Sequence, residues 1–172
     1  MPSPTPELDL EHPFSGLTRA SDRERILIEI VQLVWSSTLG LPISLRDADA
    51  AEISSSPGSV IVGSIQVTGA WPCTLAIAAP LELAAICAEA FWGKPSSELP
   101  PSDIMDAWGE VVNQIGGNLK ALIAPPTHLS LPDVVQGATF TYRVPRTKLI
   151  NELTFACVGG RIRLTVLRPE AA

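Results

Sequence analysis

The stretch Pro101–Ile123, PSDIMDAWGEVVNQIGGNLKALI, decides how the rest of the chain reads. A proline at its start and the Pro125-Pro126 pair just beyond its end bracket a long helix. A helix advances about 100° per residue, so Ile104, Trp108, Val111, Ile115, Leu119 and Leu122 fall on one apolar stripe, with Val112 at its edge. The opposite band holds Asp106, Glu110, Asn113, Gly117 and Lys120 at i, i+4, i+7, i+11 and i+14, an outward row of neighbours. A solvated face is the ordinary reading of such a row, and two features count against it here. Gly109, Gly116 and Gly117 each disfavour a helix interior by about 0.8–1 kcal/mol relative to Ala, so they read as places where another backbone comes close. Asparagine is a mediocre helix former, so an outward Asn113 at mid-helix is not there for stability.

Working outward, Pro80 is placed as the first residue of a preceding helix, Leu81 to about Trp92, closed by Gly93 and Pro95. Upstream of it, Val60, Val62, Ile65 and Val67 predict a strand over Val60–Thr68. Its partner is expected over Trp71–Ala79, with Gly69-Ala70 as the turn. A first helix starts at Ser21, where Ser21 and Glu24 have capping-box spacing. It carries Ile26, Leu27, Ile30, Val31, Leu33 and Val34 at helical period and ends before Gly40 and Pro42. Downstream, Ala138–Val144 reads as a strand, and Leu149–Val158 with Arg161–Leu167 as a hairpin across Gly159-Gly160. Arg46–Gly58 reads as a polar connection. The layout α-β-β-α-α-β-β-β predicts an α+β domain over residues 21–172, a largely antiparallel sheet backed by two long helices. Residues 1–20, MPSPTPELDLEHPFSGLTRA, read as a disordered Pro-rich leader.

The bulk composition narrows the function classes. A chain of 172 residues fits one domain, and 46% hydrophobic residues supply an ample interior. Only 17% are charged, which leads us to expect a buried self-interface. The net charge of −6 argues against nucleic acid, whose phosphates need clustered Lys and Arg. The longest apolar stretches, Ile26–Trp35 and Leu75–Trp92, are interrupted by Glu29 and by Pro80, Glu82 and Glu89, so neither reads as a membrane span. The leader lacks the basic and apolar regions of a secretory signal, and a soluble cytoplasmic protein is expected. Cys73, Cys87 and Cys157 lie in apolar stretches without paired spacing and read as buried reduced thiols. His12 and His128 form neither a triad nor a metal set, so no metal site is expected.

The run from Asp106 through Glu110 to Asn113, DAWGEVVN, resembles the [D/S]-x-x-x-E-x-x-N signature of the CheC/CheX/FliY chemotaxis phosphatases. Its continuation Gln114–Lys120, QIGGNLK, is most similar to the CheX branch. GSIQVTG at Gly63–Gly69 and LSLP at Leu129–Pro132 also sit where CheX-like chains carry similar segments. The resemblance spans roughly residues 22 to 167. It implies hydrolysis of the aspartyl phosphate of a phosphorylated response regulator, a CheY-like receiver. The receiver would supply the phosphoryl group, a Mg²⁺ ion and a lysine, so the chain needs no cofactor of its own. Asn113 would then orient a water in line with phosphorus, and Glu110 would pair with the receiver's lysine. Asp106, Gly117 and Lys120 would be partner contacts, Asp106 an ancillary one. Such a division of labour is sound, because phosphoryl transfer from an activated acyl phosphate is mostly a matter of positioning.

The resemblance also implies a pseudo-twofold internal repeat and a homodimer. In the first helix, Glu29-Ile-Val-Gln32 parallels Glu110-Val-Val-Asn113, and Arg25, Glu29, Gln32 and Ser36 repeat the outward spacing. Arg25 stands in place of the signature acid, so Glu29 and Gln32 read as a degenerate second site. The competing expectations are a non-catalytic module, either flagellar-switch-like or a decoy that docks receivers, and an unrelated metal-assisted hydrolase. Retention of both Glu110 and Asn113 speaks against a pure scaffold.

Overall fold

The computed structural model describes residues 20–46, 58–138 and 142–170. The elements run α1 (Ala20–Val34), a π-helical turn (Trp35–Leu39), β1 (Ile43–Arg46), β2 (Val60–Gly69), β3 (Cys73–Pro80), α2 (Leu81–Trp92), a 3-10 turn (Ser96–Glu98), α3 (Pro101–Lys120), β4 (Thr127–Leu129), β5 (Asp133–Gly137), β6 (Thr147–Cys157) and β7 (Gly160–Pro169). Seven strands form one sheet in the order β1-β6-β7-β3-β2-β4, with β5 also pairing β2. Every pairing is antiparallel.

Alternation along the strands explains where the core sits. Ile61, Ile65 and Val67 of β2 share a face with Leu75 and Ile77 of β3, with Ile162, Leu164 and Val166 of β7, and with Leu153 and Phe155 of β6, all buried in one cluster. Ile26, Leu27, Ile30 and Val31 of α1, Leu83 and Cys87 of α2, and Trp108, Val111, Ile115 and Leu119 of α3 complete that cluster. Trp35 and Trp108, both fully buried, meet edge to face at 6.4 Å and 84°, which ties the end of α1 to the middle of α3. Such a pair contributes about 0.5–1.5 kcal/mol beyond its buried area. Gly63 seats α3 on the sheet. A Cβ there would lie 2.5 Å from Val112 Cγ2 and 3.1 Å from Trp108 Cδ1, so only glycine lets the helix approach that closely.

The α+β antiparallel architecture is as expected, and several local readings are corrected. β1 and β4 carry no reading of their own in the sequence, apart from Arg46, which opens the expected polar connection. β1 is a four-residue strand with three exposed residues, and β4 is three residues long, so neither carries a period of its own. The strand expected at Ala138–Val144 is found earlier, as β5; Ala138 and Tyr142–Val144 lie outside strands, and 139–141 lie outside the described residues. The two-residue turn at Gly69-Ala70 is a longer connection: Gly69 ends β2, and Val67 and Cys73 are the last pair. The second hairpin turns at Val158-Gly159, since Cys157 pairs with Gly160. Pro80 ends β3 and caps α2 with an extended ψ of 143° rather than being its first residue. α3 closes at Lys120, where the Ala121 N–H donates to the carbonyls of Gly117 and Leu119. Helix α1 already includes Ala20, so Ser21 sits inside it and does not cap it. The rest of the expected leader, and most of the polar connection after Arg46, lie outside the described residues.

Candidate functional site

Helix α3 is polarised along its axis as well as across it. Pro101 suits its start through its fixed φ, and Asp103 in the first turn and Lys120 in the last are each favourable to the helix dipole. Ala107, Trp108, Val111, Val112, Ile115 and Leu119 are completely buried. On the opposite side Asp106 and Lys120 are exposed, and Glu110, Asn113 and Gly117 are half-buried. The expected row therefore lies on an accessible face, with Asp106, Gly117 and Lys120 spaced along it around the Glu110–Asn113 pair.

The row is half-buried because it runs between two shoulders. On one flank Gly109 abuts Val134 and Pro132, and Gly116 abuts Ile65 and Leu129. On the other, Gln114 reaches Thr38 in the π-helical turn. These contacts revise the reading of the glycines. Gly109 and Gly116 accommodate side chains rather than another backbone, a Cβ at Gly116 falling 2.9 Å from Ile65 Cγ2. Gly117 is different: among the described residues nothing lies within 4 Å of a Cβ placed there. Internal packing accounts for the first two and leaves the third as open space on the row.

Glu110 and Asn113 are neighbours in space as in sequence. Asn113 Nδ2 lies 3.5 Å from Glu110 Oε2, at the limit of a hydrogen bond. A carboxylate is acceptor-only, which turns the NH₂ end of the carboxamide toward it and leaves Asn113 Oδ1 pointing elsewhere. The second carboxylate oxygen, Oε1, accepts from Gln114 Nε2 at 3.1 Å. Gln114 Oε1 in turn accepts from the Thr38 hydroxyl. Thr38 and Gln114 were not singled out from sequence. Gln114 falls beside the outward row rather than on it, and Thr38 is 76 residues away, so only the packing of α1 on α3 brings it there.

The second row is built otherwise. Arg25, Glu29, Gln32 and Ser36 are all exposed. Arg25 Nη1 donates to Glu29 Oε1 at 3.0 Å in an i,i+4 ion pair, and Ser36 donates to the Leu33 carbonyl. A groove lined by Arg25, Glu29, Leu33, Asn118 and Leu122 separates this face from the end of α3.

Burial pushes the thiols of Cys73, Cys87 and Cys157 up to about 12, so they remain neutral and unreactive near pH 7. Glu89 is held below the usual carboxylate range by hydrogen bonds from Ser96. Among the described residues no three His, Cys, Asp or Glu side chains come together as a metal-ion site. No helix among them is long and apolar enough to cross a membrane.

Comparison with known proteins places the fold. The chain resembles a crystal structure of chemotaxis protein CheX from Vibrio vulnificus with a TM-score of 0.69 and 17% identity, covering 88% of this chain and 100% of that one. A chemotaxis protein CheX from Desulfovibrio desulfuricans gives 0.63 and 18%, covering 84% and 97%. The CheX in a complex with CheY, BeF₃ and Mg²⁺ from Borrelia burgdorferi gives 0.64 and 12%, covering 86% and 97%. At such identities these likenesses speak to the fold. No curated protein sequence matches the chain. The family model described as chemotaxis phosphatase CheX matches residues 61–155, more than half of the chain, running from β2 through α3 into β6. The chain belongs to the CheX family of chemotaxis phosphatases.

Proposed function

We propose that the protein hydrolyses the aspartyl phosphate of a phosphorylated CheY-like receiver and so terminates a chemotaxis or related two-component signal. The observation that carries this reading is the Glu110–Asn113 pair, side by side on an accessible face of the longest helix, with clear space beside it at Gly117. Membership of a phosphatase family and the likeness to a CheX that forms a complex with CheY support it.

In this proposal α3 lies across the receiver's active site. Asp106, Gly117 and Lys120 contact the partner, Gly117 by allowing close approach and the two charged residues at either end of the row. Glu110 pairs with a receiver lysine and sets the register. Asn113 is held only loosely by Glu110, so its carboxamide retains an oxygen and a donor with which to orient a water. The water oxygen bonds to phosphorus as the bond from phosphorus to the aspartyl oxygen breaks. The products are inorganic phosphate, which retains the proton or releases it to solvent, and the free aspartate of the receiver. An acyl phosphate has a good leaving group, so positioning and charge neutralisation suffice without a strong base on this chain. Mg²⁺, carried by the receiver, would neutralise phosphoryl charge. The protein acts in the cytoplasm, where such receivers are, and as a homodimer, which suits its low share of charged residues.

The test is phosphate release from a Mg²⁺-loaded phosphorylated receiver, with wild type compared with Asn113→Ala. The expected result is release well above the receiver's own rate, lost in the variant. A wild type that accelerates no receiver while still binding one would instead identify a docking module.

A further inference from the structure

The Glu110 carboxylate is held from behind as well as from beside. Gln114 Nε2 donates to Glu110 Oε1 at 3.1 Å, and the Thr38 hydroxyl donates to Gln114 Oε1. All three side chains are half-buried. We propose that Thr38 and Gln114 form a positioning relay that fixes Glu110 for the partner, an inference that rests on the receiver-directed reading above.

The direction of the relay follows from chemistry. The carboxylate accepts only, so Gln114 must present its NH₂ end to Glu110 and its oxygen to Thr38, and Thr38 must then donate. Every donor along the chain points toward the charge. Oε1 is thereby engaged inside the subunit, and Oε2 remains on the Asn113 side, toward the open row. A glutamate on an accessible helix face otherwise samples many rotamers. Tethering it in advance removes an ordering cost at docking.

The π-helical turn is what delivers Thr38. Ser36 and Ser37 both donate to the Leu33 carbonyl, at 3.1 and 2.7 Å, whereas the Thr38 hydroxyl is directed across to α3. The wider turn closes at Gly40, in the left-handed region at φ 63°, whose N–H returns to the Trp35 carbonyl. Trp35 is itself locked against Trp108 of α3, so the turn is anchored to the helix it supports. Helical widening of this kind often marks functional sites. The branched Cβ of Thr38 further restricts its rotamers.

The experiment measures phosphate-release kinetics and, separately, Kd for a receiver loaded with Mg²⁺ and beryllofluoride, a readout that needs no turnover. Gln114→Met keeps volume and helix propensity while deleting the amide, and is expected to raise KM and Kd about tenfold with kcat nearly unchanged. Thr38→Val raises both by about threefold, Thr38→Ser restores them, and Thr38→Val adds nothing in the Gln114→Met background. Equal thermal midpoints across the set separate positioning from a folding defect. Normal hydrolysis lost in Asn113→Ala, with KM and Kd unchanged in Gln114→Met, overturns the relay alone. Fully additive effects of the two substitutions overturn it as well. Binding without hydrolysis, still weakened by Gln114→Met, sinks the phosphatase reading and leaves the relay standing as a docking device. Neither binding nor hydrolysis by wild type overturns both.

Discussion

Helices α1 and α3 each present a carboxylate and, three residues on, a carboxamide, and their surroundings are opposite. On α1, Glu29 is neutralised by its own neighbour Arg25, the pair stands well exposed, and Ser36, in the turn that follows, bonds back to the backbone. On α3, the residue one turn before Glu110 is Asp106, so its own helix places no cation there, and Gly117 stands where the first row has Ser36, in the π-helical turn. Glu29 has satisfied its charge inside the chain. Among the described residues Glu110 accepts from neutral amide donors, Gln114 and more weakly Asn113, which orient its charge without cancelling it. A carboxylate meant to meet a lysine on another protein needs that second condition, and one meant to stabilise a helix is served by the first.

The comparison breaks first at the amides. Asn113→Ala is expected to lower kcat for receiver dephosphorylation on the order of 10²-fold or more, as for loss of a group that positions a reactant, with folding intact. Gln32→Ala on α1 is expected to leave kcat within about a factor of two. Single-turnover phosphate release decides it, and a larger loss in Gln32→Ala would transfer the function to the α1 row.

Gly63→Ala tests the seat of α3 while leaving α1 alone. Its Cβ would overlap Val112 and crowd Trp108, so we expect destabilisation of about 1–3 kcal/mol, the usual cost of overpacking. Denaturant midpoints measure this, and receiver affinity should fall with it if the row depends on how α3 rests on the sheet.

Gly117→Ala separates stability from docking. A methyl meets nothing among the described residues and improves helix propensity, so the fold should gain about 0.8–1 kcal/mol while KM for the phosphorylated receiver rises. A gain in stability with unchanged KM would mean that the open space is not used. The smallest effect is expected at Arg25→Ala, where an exposed ion pair with side chains about 60% accessible contributes about 0.3–0.5 kcal/mol and activity is unaffected. Urea unfolding and steady-state kinetics check both halves.

Much of this was legible along α3. Its period alone assigned Trp108, Val111, Ile115 and Leu119 to the core and set Glu110 and Asn113 outward, because a stripe sustained over a long helix leaves little freedom in how it packs. The hairpins β2–β3 and β6–β7 were visible from alternating runs, though their turns were misplaced by one or two residues. β1, β4 and β5 were invisible or displaced because short strands at the sheet margin take their identity from a partner's free hydrogen-bonding groups rather than from their own pattern. The glycines misled in part, since spacing cannot say whether the near neighbour is backbone or side chain.

What the sequence by itself determined is therefore the helix that carries the candidate site, the residues it turns outward and the family to which they point, since all of these are encoded within a few turns of one element. Only the tertiary structure decided which of two similar rows is left open, which glycine faces empty space, and that Thr38 stands behind Gln114 and Glu110. Those facts depend on contacts between residues distant in the chain, made when α1, its π-helical turn and the sheet close around α3.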